Sequence, residues 1–169
     1  MIIKETQRLR LRHFKPSDAE FLLKLYNQPA FIENIGDRGI NTLNDAENFI
    51  ETVQTHYAKY KFWLYLVEEK SSQKSVGVNG LIKRDYLDVP DIGFALDKHY
   101  WSQGYALESA QAVLEQAKFL SLDKVAAIVS PNNKSSINLL QKLGFHFIKY
   151  DQLVADEVAV NYYEKILSS

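Results

Sequence analysis

The chain has no cysteine, which excludes disulfides, thiolate zinc sites and cysteine nucleophiles and fits a reducing compartment. It also lacks a basic excess: 20 Lys and Arg stand against 21 Asp and Glu, a formal net charge of −1. A nucleic-acid binder needs cations to meet phosphate, and no Lys/Arg run supplies them, so nucleic acid is not expected as a partner. No window approaches a membrane-spanning apolar run, and the opening MIIKETQRLRLRHFK has charges where a secretory signal needs an apolar region. A cytoplasmic protein without membrane attachment is the expectation. There is no repeat and no low-complexity linker. What is present, 46% hydrophobic residues with nine Phe and ten Tyr in 169 residues, fills one core and implies a single domain over residues 1–169.

Periodicity gives the order of elements. Arg8 to Arg12 alternates apolar and charged residues like a strand with one buried face, its arginines expected to point to water. After Pro16, Ser17 and Glu20 have capping-box spacing ahead of a helix ending near Asn27 to Pro29. A second helix is expected from about Asn44, with Asn44 as cap and Phe49, Ile50, Val53 and Tyr57 on one face. Strands are expected over 62–67, 76–82 and 91–96, then a long helix through Leu107 to Leu120 and a doubly buried strand over 125–129. A short helix ended by Gly144 and two last strands, 145–150 and 158–166, complete an α+β mixed sheet with one crossover.

The stretch YWSQGYALESA, Tyr100 to Ala110, sets a glycine-containing turn directly before the long helix. Such a helix N-terminus presents unpaired N–H groups and a positive dipole end, favourable to phosphate. The second glycine of a dinucleotide fingerprint and the lysine of a P-loop are both absent. On these grounds alone, a tight strand-to-helix turn explains Gly104 as well as an anion site does.

The stretch resembles the pyrophosphate loop of the GNAT superfamily of N-acetyltransferases, whose pattern is Arg or Gln, two residues, Gly, one residue, then Gly or Ala. Here Trp101 takes the first position, a departure, with Gly104 and Ala106 in the others. Tryptophan at that place is similar to the branch of ribosomal-protein N-terminal acetyltransferases. Further segments follow in order: Thr6 to Arg12 with Asp18 and Ala19, Val76-Gly77, Pro131 to Ser136, and Lys142 to Phe145. The resemblance covers nearly the whole chain. It implies a largely antiparallel twisted sheet flanked by about four helices, with a V-shaped splay between two parallel central strands. Acetyl-CoA would be the co-substrate, its pantetheine arm along Phe94, Ala95 and Leu96 like an added strand. Its pyrophosphate would lie against the backbone of Ser102, Gln103, Gly104, Tyr105 and Ala106. Asn133 matches a cofactor-side asparagine, or serves as a helix cap, or both.

The implied reaction is direct acetyl transfer to a primary amine, which needs no cysteine intermediate and no metal. It requires orientation of amine and thioester, a base for the amine, and stabilisation of oxyanion and thiolate. Asp91, at the start of the cofactor strand, is the candidate base, with an ordinary strand-end aspartate as the alternative. Ser136 is the candidate acid for the thiolate, or merely a residue of the first helical turn. The tyrosine that many relatives use as acid corresponds here to Leu140, leaving Tyr105, Tyr162 and Tyr163 as substitutes by chemistry only.

The four histidines lack metal-ligand spacing, and no Gly-x-Ser-x-Gly elbow anchors a serine hydrolase. Trp63, Tyr65 and Phe31 are either acceptor wall or core. The acceptor is expected to be a protein N-terminal α-amine by branch resemblance. Alternatives are a small amine, met by acidic residues such as Glu33, Asp37 or Asp88, and an acetyl-CoA-binding module without turnover. A homodimer is also left open, since these folds often pair through sheet edges or helices.

Overall fold

The structure is a computed structural model that describes residues 1–167; residues 168 and 169, the last of the expected domain, lie outside the described residues. The chain forms strands β1 (Ile2–Glu5) and β2 (Leu9–Arg12), helices α1 (Ala19–Tyr26), α2 (Pro29–Asn34) and α3 (Leu43–Tyr60), and strands β3 (Leu64–Glu69), β4 (Ser75–Ile82) and β5 (Asp91–Leu96). Helix α4 (Tyr105–Phe119), strand β6 (Lys124–Val129), helix α5 (Lys134–Lys142) and strands β7 (His146–Asp151) and β8 (Val160–Ile166) follow. One eight-stranded sheet results, in the order β1-β2-β3-β4-β5-β6-β8-β7. Every neighbouring pair is antiparallel except β5 with β6.

Alternation along the strands supplies two apolar layers. Leu9, Leu11, Val67, Leu81 and Ile92 pack with Val113 of α4 and Leu140 of α5, while Leu66 and Val78 pack with Leu22 and Leu25 of α1 and Ile50 and Val53 of α3. This is the expected α+β architecture, with five α-helices among the described residues where about four were expected. The addition is α2, six residues opened by Pro29 at its first position. The sequence reading also lacks β1, whose four residues include Lys4 and Glu5 and so show no clean alternation.

Local chemistry moves two helix starts. The carboxylate of Asp18, not that of Glu20, caps the turn at Pro16, accepting the Lys15 N–H at 2.7 Å. Helix α3 starts one residue before Asn44, because Thr42 and Asp45 cap it reciprocally, at 3.1 Å in each direction. Trp63, Tyr65 and Phe31 are all core.

The arginines of β2 do not all face water. Arg12 is 7% exposed; its Nη1 and Nη2 donate to the two oxygens of Asp18, each at 2.9 Å, and its Nε to Glu68 at 3.0 Å. Glu68 lies on β3 directly across from Arg10, so the neighbouring strand supplies the charge that makes burial tolerable. Removing Arg12 leaves buried Asp18 without its cation and Glu68 with Arg10 alone, so Arg12→Ala should lower stability by about 3 kcal/mol, or roughly 10 °C in Tm. Arg10→Ala, at a more exposed pair, should leave Tm nearly unchanged in the same calorimetric scan.

Candidate active site

Strand β5 is paired with β4 along its whole length, from Asp91 opposite Ile82 to Leu96 opposite Gly77. Gly77 permits the close approach, since a Cβ there would collide with the Ala95 carbonyl oxygen. On its other side β5 meets β6 at a single pair, Asp91 with Ala126, where the Ala126 N–H donates to the Pro90 carbonyl at 2.8 Å. Beyond it the parallel strands part, leaving half-buried Phe94, Ala95 and Leu96 without a ladder partner on the β6 side. Because β5 and β6 run the same way, the N-termini of α4 and α5 share the open end of this gap.

The loop into α4 is tied down at several points. The Trp101 indole N–H donates back to the Leu96 carbonyl at 2.9 Å, and the Gln103 amide to the His99 carbonyl at 3.1 Å. Ser102 (φ 63°) and Gly104 (φ 83°) are both left-handed. Glycine takes this conformation without steric cost, whereas at Ser102 it stores about 1–3 kcal/mol of strain. From Ser102 through Leu107 no backbone N–H donates to a protein acceptor among the described residues, and the helical ladder begins with the Glu108 N–H on the Gly104 carbonyl at 3.0 Å. Consecutive free N–H groups at the positive end of a helix form a nest for an anion. Tyr105 contributes only its backbone there, because its side chain is buried and its hydroxyl donates to Glu69. Asn79 and Ser109, both fully buried and 2.9 Å apart through the amide and hydroxyl, fix the first turns of α4 to β4.

At the second helix mouth, the Asn133 Oδ1 caps α5 by accepting the Ser136 N–H at 3.3 Å. The Asn133 amide nitrogen and the Ser136 hydroxyl have no hydrogen-bond partner among the described residues and are half-buried.

Asp91 sits at the closed end of the gap. Ile92 points into the α4 layer, so alternation turns Asp91 to the opposite face. It is 2% exposed, and Arg84 holds its carboxylate through Nε at 2.8 Å and Nη2 at 3.3 Å. Burial raises its pKa, and the charge and hydrogen bond of Arg84, with a smaller contribution from Arg38, oppose that rise. On the same side, the Tyr162 hydroxyl donates to Glu164 at 2.8 Å; burial first, then this bond and the charges of Asp91 and Asp88, raise its pKa and keep it protonated. Tyr163 instead packs edge-on against Phe147. Sequence reasoning named neither Arg84 nor Arg38, and it turned Arg8 to water, whereas Arg8 reaches the loop at Gln103. Only Arg84 had a local signal, as a cation across the same turn from Asp91.

The chain is similar to known proteins. Residues 8–146 match the family described as Acetyltransferase (GNAT) domain. The Bacillus subtilis protein YkkB is 28% identical over 148 residues, 85% of each chain. Among solved structures, a GNAT-family acetyltransferase from Bacillus anthracis superposes with a TM-score of 0.80 at 24% identity over 99% of each chain. RimL, a ribosomal L7/L12 α-N-protein acetyltransferase solved with coenzyme A, does so with a TM-score of 0.84 at 18% identity over 98% of each chain. With the parted strands and the open loop in place and the family match spanning most of its length, the chain belongs to the GNAT acetyltransferases.

Proposed function

We propose that this chain is an acetyl-CoA-dependent N-acetyltransferase whose acceptor is a primary amine, in the first instance the α-amine of a protein N-terminus. The observation that carries the proposal is the run of free N–H groups from Ser102 through Leu107 at the mouth of the gap between β5 and β6. The cradle fits a pyrophosphate: it offers donors in series, and Gly104 keeps side-chain atoms out of it. Phe94 to Leu96 offer free strand edge to an extended pantetheine arm, and the Asn133 amide offers a donor from the other side. The acceptor follows from the likeness to RimL, and polyamines or other small amines are the competing class.

Acetyl-CoA supplies an activated thioester. The amine nitrogen bonds to its carbonyl carbon, the C–S bond breaks, one amine proton leaves and the thiolate takes one up. Asp91 is assigned the first proton, directly or through a water, from its place where the two strands close. Arg84 holds the carboxylate in place and favours its ionised form. Ser136, with its hydroxyl free near the α5 mouth, is assigned the second. Tyr162, kept protonated by burial first and then by its bond to Glu164, is the alternative donor on the Asp91 side.

Saturating acetyl-CoA, near a hundred times its Kd, should stabilise the protein by about 2.7 kcal/mol and raise Tm by several degrees. Gly104→Asp, which sets a carboxylate among the free N–H groups, should remove that shift. A folded wild-type protein with no shift would end the proposal. Turnover of peptides with a free N-terminus, but not of their N-blocked forms or of small amines, would fix the acceptor.

Asp91 works as a base only when ionised, so kcat/KM should rise with pH through a pKa above the ordinary aspartate value and level off beyond it. In Asp91→Asn the rate should fall roughly 100-fold or more, with that limb gone. An unchanged profile in this variant would take Asp91 out of the base role.

A further inference from the structure

The loop from Trp101 to Ala106 contains no cationic residue, and Trp101 replaces the family's Arg or Gln at its first position. The structure brings a cation to it from the other end of the chain. Arg8, just ahead of β2, donates through Nη1 to the Gln103 carbonyl at 2.8 Å and through Nε to Glu108 Oε1 at 2.8 Å. Its guanidinium stacks over the Tyr105 ring, 4.4 Å from the centroid. Nη2 donates to nothing among the described residues and lies 3.1 Å from where a Cβ on Gly104 would stand. The side chain remains 42% exposed. A free, permanently charged donor therefore stands beside the glycine around which the free N–H groups gather.

Glu108 makes this placement more telling. A carboxylate in the first turn of α4 would repel a bound anion, yet both of its oxygens are taken up: Oε1 by Arg8 Nε, Oε2 by the Arg8 N–H at 2.9 Å and the Thr6 hydroxyl at 2.5 Å. These bonds hold the Glu108 pKa below the ordinary value against the upward push of burial. The carboxylate thus orients Arg8 while Arg8 cancels its charge, and Nη2 is left for a ligand.

We propose that Arg8 is a pyrophosphate-binding residue, supplying from just ahead of β2 the cation that the loop lacks at Trp101. The inference rests on the proposed acetyl-CoA site and adds a residue outside the loop to it. Arg8 is the specific contact to the diphosphate, and Glu108 and Thr6 are its positioning residues.

The test compares two ligands, acetyl-CoA and S-acetylpantetheine, which lacks the diphosphate, with the fluorescence of nearby Trp101 as readout. Arg8→Ala, alone and with Glu108→Gln to remove the stranded carboxylate, should weaken acetyl-CoA about tenfold or more and leave S-acetylpantetheine within about twofold of wild type. Equal weakening of both ligands would reduce Arg8 to a brace for the loop, and unchanged acetyl-CoA affinity would remove it from the site; either overturns the inference. If Arg8→Ala does not fold, Arg8→Lys serves, since it keeps the charge but cannot hold Gln103 and Glu108 and still offer a donor. Failure of the wild-type protein to bind acetyl-CoA would instead sink the proposed function itself, and the role of Arg8 with it.

Discussion

A parallel pair of strands that closes at one residue pair and then separates is the constraint on which the rest of this molecule depends. Asp91 and Ala126 make that pair. An ordinary parallel ladder would saturate the inner edge of β5, and nothing could lie along it. Because the ladder stops, Phe94 to Leu96 keep an open edge inside the sheet, where the flanking helices already exclude most of the solvent. The crossover then places two helix N-termini at the same opening. Free N–H groups at the mouth and ionisable groups at the closed end both follow from that topology.

The remaining packing keeps this gap in place. Full pairing with β4, made possible by Gly77, supports β5 from one side. The Asn79–Ser109 bond sets α4 at a fixed height over the sheet. The Arg12 cluster works farther away, pinning the turn before α1 to β2 and β3. Each is a short polar link inside an apolar layer, where a satisfied hydrogen bond specifies geometry more sharply than dispersion does.

Much of the fold was legible because its signals are local. The bounds of β5 were read correctly, since Asp91 follows a Pro turn and the apolar run stops at Asp97. The loop before α4 was legible from Gly104 and the helical spacing after it, while its proposed link to acetyl-CoA comes only through family resemblance. The misses lie where the deciding partner is distant in sequence. Arg12 is buried because of Glu68, 56 positions away, and Arg8 faces the loop because β2 passes beneath α4, about a hundred positions on. Alternation gives a side chain's face, and tertiary contact decides whether that face meets water.

Helix α4 runs for 15 residues yet starts at a glycine with no side-chain cap. At an ordinary N-cap, Ser, Asp or Asn is worth about a few tenths of a kcal/mol over glycine, but here the φ of 83° and Arg8 Nη2, 3.1 Å from where a Cβ would stand, oppose such a side chain. The strained Ser102 beside it points the same way: this corner is less stable alone than the fold allows. Selection for thermal stability alone would be expected to relax this backbone to one that accepts a capping side chain, which would fill the space around the free N–H groups. The open cap is therefore a standing defect of the unliganded chain that an anion seated there would repair, so stability and occupancy of this protein should be hard to raise by the same substitution.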